Sequence, residues 1–484
     1  MNLPIGIRLM LVTLLMLLGS LVIYAQQSTG TIEGTVTDEK GAVVPGASVA
    51  ITDKASGRVI NVTTNKEGYF VARSIPSGNY SVKVEQQGFA TNVVDNLEVQ
   101  TGQVSTANAV LKIGAVSETV TIQGTQSELQ VNTSRQTIDG IITAEQIDKA
   151  PLNGRNFLDL AGLQPSVQIR DGGDIDPTKV TAYRTVGVNG TSGTGTRVQI
   201  DGIDVTDETV GTTTANISAD AVNEFQLSRA SFDLSTSLTT SGAISIVTRS
   251  GSNEFHGSGF YFFRNEKLGA RLADLPDKPP FHRHQDGFRV GGPIKKNKLF
   301  FFVNGERTDQ GTQSIIQSTD FPQENGTVSL PVRFRYWDTK FDYNLNDRTK
   351  IFYGHRYNDD LSTGGGGASP FQNIDWTIVH VIGIDRTGAR ATHAVRLGYV
   401  NFNNRIESKE LSPFKFLTGP MVHPTILESV LSSKGQMVWP RSKPIRTTSK
   451  PSTTAVTITA TMCFAMVENT TTFSSAGLRT LLDR

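Results

Sequence analysis

Two groups of closely spaced aspartates are the first residues in this sequence that could do chemistry. Each group places three carboxylates in one short stretch, as a calcium site would require: Asp201, Asp204 and Asp207, and Asp171, Asp174 and Asp176. An EF-hand calcium loop also needs a glycine at its sixth position and a glutamate at its twelfth, and neither group has them. We therefore interpret both groups as turn-forming carboxylates and predict no metal site from them.

Other catalytic or metal-binding patterns are weak or absent. His282 and His284 flank Arg283 and could form a metal-binding pair, but a solvated loop or strand is the simpler interpretation. The sequence has no HExxH, GxSxG or P-loop signature, and the glycine run at 364–367 lacks the GK[ST] of a phosphate-binding loop. The only cysteine, Cys463, excludes disulfides and cysteine-based metal sites. We predict that the chain is not an enzyme and that it has no catalytic residues and no cofactor.

Charge and composition favour an exported β protein. Lys and Arg total 46 against 45 Asp and Glu, so no net positive field favours nucleic acid as a partner. Glycine is abundant, with 46 residues, and only 37% of the chain is hydrophobic, which favours strands joined by many turns. Residues 1–25 combine Arg8, an apolar run and the small Ala25, the pattern of a cleaved signal peptide, with an uncleaved membrane anchor as the alternative.

Residues 28–113 alternate β-rich runs with turn signals such as DEKG, DKASG, NKEG and IPSGNY, at the spacing of a small β-sandwich. The segment closely resembles the carboxypeptidase regulatory-like domain, from GTVTDEKGAVVPGASV to IPSGNYSVKVEQQGF. The resemblance implies a non-catalytic, prealbumin-like sandwich, in a group sometimes classed with carbohydrate-binding folds. We expect a folding or docking spacer rather than a sugar site, because a fold does not imply a function and no cluster of aromatic residues supports one.

Residues 130–252 combine helical and strand patterns. A capping box at Thr143 and Gln146 predicts one helix, a second is predicted from Asn156, and RVQIDGID, AVNEFQLSRA and GAISIVTRSGS predict strands. In order and spacing, PLNGRNF, IDGID, AVNEFQ and GAISIVTRSGSNEFHG resemble the plug domain of TonB-dependent outer-membrane receptors, specifically the Oar-like group. The turn at 239–251 is less glycine-rich than in that group, which leaves the loop detail open.

Residues 253–430 consist of runs of about ten residues in which aromatic and polar residues alternate. Phe341, Tyr343 and Leu345 alternate with Asp342 and Asn344, so in a strand the apolar and polar sets would face opposite sides. This pattern is typical of transmembrane β-strands that face lipid on one side and the barrel lumen on the other, with a soluble antiparallel sheet as the alternative. PPFHRHQDGFRVGGPIKKNKLFFFVNGER also resembles the first barrel strands of Oar-like receptors.

These strands are too few for a barrel that encloses a plug. Residues 255–410 supply only about seven strands of bilayer length, whereas barrels of the resembled group have roughly 22. The aromatic alternation ends after about residue 435, and residues 431–484 are rich in Thr and Ser. We expect an incomplete barrel followed by a frameshifted segment, with a disordered tail as the alternative. Unpaired strand edges in lipid are costly, so we expect the chain as written not to transport.

A strand-prone segment lies in the linker at 114–129. GAVSETVTIQGT is rich in β-branched residues, and an unpaired strand edge invites pairing with another chain. In the receptors that the sequence resembles, a short TonB box ahead of the plug pairs as an added strand with the TonB-type periplasmic energy-transducing protein. SETVTIQG resembles that box, so the candidate partner-binding residues are Glu118, Thr119, Val120, Thr121 and Ile122. A last strand of the sandwich, or a linker running into the plug, is the alternative.

The predicted protein is mainly β, with a prealbumin-like sandwich, an α+β plug and the antiparallel strands of an incomplete transmembrane β-barrel. The resemblance implies an outer-membrane receptor that takes up or exports an unknown extracellular ligand through a plug energised at the TonB box. Its partners would be the TonB-type protein and outer-membrane lipid. The alternative is an exported surface or periplasmic binding or adhesion protein that uses the sandwich, with carbohydrate as a candidate ligand.

Overall fold

The computed structural model describes residues 29–114, 119–123, 139–171, 183–207, 211–229, 239–271, 278–316, 326–364, 371–387, 391–408 and 455–466. Within these ranges the chain forms mostly β-strands, in three units: a two-sheet sandwich, a central unit and a sheet of long antiparallel strands. The predicted mainly β fold is confirmed. The predicted signal peptide lies outside the described ranges, and within them no helix has the length and apolar character needed to cross a membrane.

The sandwich is built from nine strands in two sheets. The first sheet contains β1 (Gly30–Asp38), β4 (Tyr69–Ile75), β7 (Val104–Thr106) and β8 (Ala109–Leu111). The second contains β2 (Ser48–Asp53), β3 (Val59–Thr63), β5 (Gly78–Glu85), β6 (Thr91–Val99) and β9 (Thr119–Gln123), in the order β3-β2-β5-β6-β9.

Alternating residues of both sheets form the core of the sandwich. In β1, Ile32 and Val36 are fully buried and pack in one cluster with Ile51 and Val82 of the second sheet. This period of two is what a strand with one buried face requires. The turns follow the glycine signals in the sequence: Gly68 has a φ of +68°, and a Cβ there would lie 2.7 Å from a backbone carbonyl oxygen of β1.

The central unit follows in the chain and mixes short strands with helical turns. Its strands are β10 (Asp139–Thr143), β11 (Val167–Asp171), β12 (Arg184–Val188), β13 (Arg197–Ile200), β14 (Ile203–Asp204), β15 (Thr206–Asp207), β16 (Thr212–Thr213), β17 (Val222–Ser228) and β18 (Ala243–Thr248). Five of them form a sheet in the order β10-β17-β18-β13-β14, while β11 pairs with β12 and β15 pairs with β16.

Both helices predicted in the central unit are present, although the second is a 3-10 helix. Helix α1 (Ala144–Lys149) begins after Thr143, whose backbone N–H donates to Oε1 of Gln146 at 3.0 Å. The 3-10 helix Phe157–Leu163 begins after Asn156, whose side chain accepts from the backbone N–H of Leu158. Two further 3-10 turns span Ala219–Ala221 and Glu266–Leu268.

The third unit, called the long-strand sheet, contains strands of 10 to 21 residues. They are β19 (His256–Asn265), β20 (Phe281–Lys295), β21 (Leu299–Ile316), β22 (Gly326–Asn346), β23 (Thr349–Gly364), β24 (Phe371–Thr387), β25 (Ala391–Ser408) and β26 (Ala455–Met466). Each strand pairs antiparallel with its neighbour in sequence, so the described strands form an open meander from β19 to β26. Most are longer than the roughly 9–11 residues that cross a bilayer.

Strand β26 lies in the segment for which a tail was predicted. Its backbone pairs with β25, from Ala391 opposite Met466 to Phe402 opposite Ala455. The run is rich in β-branched residues, which favour a strand. The rest of residues 431–484 lies outside the described ranges, so the predicted nature of that segment stays a prediction.

The two faces of the long-strand sheet differ sharply in polarity. One face carries buried polar side chains, among them Asn304, Asp338, Asp342, Asn358 and Asp375. The other exposes large apolar and aromatic side chains, among them Trp337, Phe341, Tyr353, Ile382 and Leu397. Alternation of apolar and polar residues along each strand is typical of a sheet between lipid and a polar interior.

The central unit packs against the polar face of the long-strand sheet. Ile203 and Ile246 of the central unit share an apolar cluster with Phe352, Val379 and Val400 of the sheet. The same face of the sheet also carries buried charged and amide side chains, so the apolar contacts lie among polar ones. The candidate functional site lies among those polar groups.

Candidate functional site

A buried aspartate of the central unit is the centre of the polar interface. Asp201 lies in the turn of the RVQIDGID run, between β13 and β14, with a φ of +50°, and the following Gly202 also has a positive φ. The carboxylate accepts hydrogen bonds from the backbone N–H of Thr248 at 3.0 Å and from its hydroxyl at 2.7 Å. These bonds hold the Asp201 carboxylate in an orientation that faces the long-strand sheet.

Two cations of the long-strand sheet meet this carboxylate. Arg356 of β23 forms an ion pair with Asp201, and Nζ of Lys340 in β22 lies 3.5 Å from Oδ1 of Asp201. Burial alone would raise the pKa of Asp201, but the charges of Lys340 and Arg356 and the bonds from Thr248 outweigh it and hold the pKa well below its usual range. Asp201 is therefore ionised and bound to the sheet at neutral pH.

A second ion pair uses Arg155, in the PLNGRNF run. Its guanidinium lies 2.7 Å from Asp220 within the central unit and 3.5 Å from Glu306 of β21. Glu306 also accepts from Ser218 and from Nε2 of Gln285, the latter at 2.9 Å. Each carboxylate oxygen thus has a donor, as a buried carboxylate requires.

A third contact is bidentate and more exposed. Asp148, in α1, accepts from both terminal nitrogens of Arg289 in β20, at 2.9 and 3.1 Å. Arg249 of the central unit donates to the same carboxylate at 2.7 Å. Burial raises the pKa of Asp148, but the two guanidinium groups lower it by more, so the pKa lies below its usual value.

Two aspartates of neighbouring strands form the most crowded part of the interface. Asp360 of β23 and Asp375 of β24 lie directly opposite each other and are both fully buried. Asp360 accepts from the Asn216 amide at 3.0 Å, and Asp375 accepts from the Tyr183 hydroxyl. The central unit therefore supplies donors to both carboxylates of the sheet.

The interface between the central unit and the long-strand sheet combines an apolar cluster with polar contacts. The ion pairs that cross it join Asp201 to Arg356 and Lys340, Arg155 to Glu306, and Asp148 to Arg289. These polar contacts can separate if water or a ligand replaces the lost partners, whereas breaking a buried ion pair without replacement costs about 3–5 kcal/mol. The arrangement suits a domain that is held firmly and released conditionally.

The candidate partner-binding residues lie at the edge of the sandwich. Thr119–Gln123 forms β9, which pairs parallel with β6, from Thr91 opposite Thr119 to Asp95 opposite Gln123. Thr121 is exposed, and no described strand pairs with the other edge of β9. Glu118 lies outside the described residues. The segment is thus a strand with one open edge.

The aspartates and histidines considered for metal binding are used in other ways. Asp201 pairs as above, Asp204 pairs with Arg197, and Asp171 pairs with Arg184. His284 is hydrogen-bonded to the Tyr261 hydroxyl at 2.8 Å, and its ring lies 5.9 Å from that of His282. Asp174 and Asp176 lie outside the described residues.

Sequence reasoning missed the sheet residues that complete the interface. Lys340 precedes the outward-facing Phe341, and Arg356 precedes the outward-facing Tyr357, so their inward orientation was readable from the alternation. Glu306 has no aromatic neighbour in the sequence, so nothing local marked its orientation. The partners of all three were not readable, because each pair joins segments about one hundred or more residues apart.

Two segments of the chain match known protein families. Residues 31–112 match the carboxypeptidase regulatory-like domain, and residues 247–330 match an outer membrane beta barrel domain. The first match covers the sandwich, and the second covers the start of the long-strand sheet. The chain therefore carries a regulatory-like sandwich joined to strands of an outer-membrane β-barrel, and the predicted outer-membrane location is confirmed.

One curated relative is the TonB-dependent transporter Oar of Myxococcus xanthus. It is 26% identical over 330 residues, which are 62% of this chain and 30% of that protein. The chain is thus similar to less than a third of the length of this relative. The similarity confirms the Oar-like, TonB-dependent resemblance found in the sequence.

Solved structures of outer-membrane proteins resemble part of the chain more distantly. The outer membrane transporter YddB from Escherichia coli is 13% identical, with a TM-score of 0.48 over 55% of this chain and 39% of that one. The ferric enterobactin receptor PfeA from Pseudomonas aeruginosa, in a mutant form, is 16% identical, with a TM-score of 0.41 over 55% and 40%.

Proposed function

We propose that the chain supplies the plug, which is the central unit, and barrel strands of a TonB-dependent outer-membrane receptor or transporter. The similarity to Oar supports the class of activity. The observation that carries the proposal is the ion pair of Asp201 with Arg356, supported by Lys340, because it holds the central unit against the polar face of barrel-type strands. A plug needs this combination of firm attachment and polar contacts that water or a solute can replace.

The ligand is an extracellular molecule that passes, by uptake or export, between the plug and the barrel wall. The polar lining of that boundary, with Asn358, Asp360 and Asp375 fully buried, favours a solute that replaces hydrogen bonds over one that needs an apolar path. Outer-membrane lipid contacts the opposite face of the sheet, where Trp337, Phe341 and Leu397 are exposed.

The partner is a TonB-type periplasmic protein that binds Thr119–Gln123 as an added strand. Among the described strands only β6 pairs with β9, so the other edge of β9 can offer its backbone donors and acceptors to a partner, and main-chain hydrogen bonds supply the affinity in this mode of recognition. Because β6 occupies only one edge of β9, the strand can belong to the sandwich and still accept the partner. Glu118, next to the strand in sequence, is included as a candidate contact.

The test is the binding of the periplasmic domain of a TonB-type protein to the full chain in detergent. Val120→Pro removes a backbone donor and fixes φ, so it should abolish binding. Val120→Ala shortens the side chain but keeps the backbone donor, so this control should bind almost as well as the unaltered chain. Equal affinity of the proline variant and the unaltered chain would overturn the proposed partner site.

A further inference from the structure

The sandwich is attached to the central unit through a buried carboxylate. The backbone N–H of Thr101, in the sandwich, donates to Oε1 of Glu224 in β17 at 2.8 Å. Both residues are almost completely buried in this contact. Beside them, the Asn223 amide donates to the Ser77 hydroxyl at 3.5 Å. The sandwich is therefore docked and does not hang free from the central unit.

The sandwich also contacts the end of the long-strand sheet. Nε of the buried Arg58 donates to the carbonyl of Asp347, in the turn between β22 and β23, at 3.1 Å. The Thr387 hydroxyl, at the end of β24, donates to the carbonyl of Arg73 at 3.2 Å. Both contacts lie at the same end of the sheet, because the strands are antiparallel. The sandwich thus bridges the central unit and the sheet.

A cavity of about 200 Å³ lies where the three units meet. Ser77 of the sandwich lines it. The central unit contributes Asn223 of β17, and the loop after β18 contributes Ser250. The long-strand sheet contributes Lys350 and Asp385. Since the sandwich contributes part of this lining, its departure would open the cavity and expose the edge of the interface between the central unit and the sheet.

The lengths of the connecting segments decide which unit a pull on β9 reaches first. Strand β9 is directly paired with β6 of the sandwich and is joined to β8 by residues 112–118. Residues 124–138 separate it from β10 of the central unit. Fully extended, the two connections span roughly 25 Å and roughly 50 Å, so tension reaches the sandwich first even if β9 is peeled from β6.

We propose that the sandwich is a latch: the TonB-type partner, pulling on β9, must undock it from Glu224 and from the sheet turns before the central unit can move. This inference rests on the proposed function. The sandwich, which is the regulatory-like domain, is then the first unit displaced, and it sets when the plug is released.

Pulling single chains held in a lipid nanodisc tests the latch without the partner. With Cys463→Ser as background, a DNA handle is attached through Thr121→Cys. Glu224→Ala should lower the force of the rupture in which the sandwich leaves the central unit, because Thr101 loses its acceptor. Glu145→Ala, which removes an exposed carboxylate of the central unit, is the matched control and should leave the rupture force unchanged. An equal rupture force in all three chains would overturn the latch.

A crosslinked chain gives a second and independent test. Ser77→Cys with Asn223→Cys, again with Cys463→Ser, places two thiols where the side chains now touch. With the disulfide formed, pulling through the bound periplasmic domain should give a first rupture at higher force than with the thiols reduced. The same rupture force in both states would contradict the latch. Absence of partner binding in both states would contradict the proposed function instead, and the handle experiment would still decide the latch.

Discussion

Arg356 and Asp201 form a buried ion pair between residues that are 155 positions apart in the sequence. The arginine belongs to a barrel-type strand and the aspartate to the central unit, and both side chains are almost completely buried. Lys340 approaches the same carboxylate from the neighbouring strand. Arg356 also lies 3.9 Å from Asp338, and Lys340 also donates to the Thr248 carbonyl, but Asp201 is the carboxylate that both cations share across the interface.

Asp201→Ala should loosen the central unit strongly. Lys340 and Arg356 would lose the carboxylate that they share, and breaking a buried ion pair by removing one partner costs about 3–5 kcal/mol. Hydrogen exchange of the backbone amides in β18 should show this loss as a lower free energy of opening. Asp204→Ala is the control from the same turn, because its pair with Arg197 lies within the central unit and is more exposed. An equal effect of the two substitutions would contradict the special role of Asp201.

The attachment through Asp201 should weaken in acid. Its pKa is lower in the folded protein than in the unfolded chain, where a carboxyl titrates near about 4. A lowered pKa means that the stabilisation is complete above the unfolded value and is lost as the pH falls towards the folded value. Hydrogen exchange of β18, followed from about pH 6 to pH 3, should show opening that rises on acidification. The Asp201→Asn chain should lack most of this dependence, and an identical profile in both chains would refute the prediction.

The contact through Glu224 should respond to pH in the opposite direction. Burial raises the pKa of Glu224, and the hydrogen bond from the Thr101 backbone N–H only partly offsets this. A raised pKa means that the contribution to docking is complete below the unfolded value and is lost as the pH rises through the folded value. Hydrogen exchange at Thr101 should therefore be slower at mildly acidic than at neutral pH, after correction for intrinsic rates. Glu224→Gln should remove the difference, and a difference that persists in this variant must arise elsewhere.

The isolated sandwich should fold, and Tyr69 in it should keep its raised pKa. Residues 26–113 are long enough to close the core around Ile32, Val36 and Tyr80, so a β-type circular dichroism spectrum is expected. Burial, together with a 2.6 Å hydrogen bond to Glu33, raises the pKa of Tyr69 to about 12.

Titration of the tyrosine hydroxyls by ultraviolet absorbance checks this value. Glu33→Gln should bring the pKa of Tyr69 down but leave it above the usual value of about 10, because burial is the larger cause. A disordered spectrum for the fragment would refute the domain boundary. A Tyr69 pKa that does not change in the variant would refute the role of Glu33.

Much of the fold follows from local sequence patterns. The outward positions of Phe341 and Tyr343 and the inward position of Asp342 are set by a period of two, which neighbouring residues reveal. The start of α1 after Thr143 is likewise a local signal. The seven long strands between residues 256 and 408 in the described part of the chain also agree with the expected number.

The candidate site depends on pairings that local patterns do not contain. Asp201 looked like one of three turn carboxylates, because nothing near it in the sequence reveals Lys340 or Arg356. The docking of Thr101 on Glu224 joins residues 123 positions apart and follows only from the assembled units. The sequence of residues 119–123 allowed two roles, a TonB box or a last strand of the sandwich. The position of β9 at the end of the second sheet, among the described strands, is compatible with both.

Crosslinking in intact cells tests the central claim most directly, namely that a TonB-type protein engages this chain at β9 in the outer membrane. In a Cys463→Ser background, Thr121→Cys places a thiol on the exposed position of β9, and Thr106→Cys places one on an equally exposed threonine of β7. A TonB-type protein with cysteines along its partner strand should crosslink to residue 121 and not to residue 106, in the outer-membrane fraction. No crosslink at residue 121, or equal crosslinking at both residues, would contradict the claim.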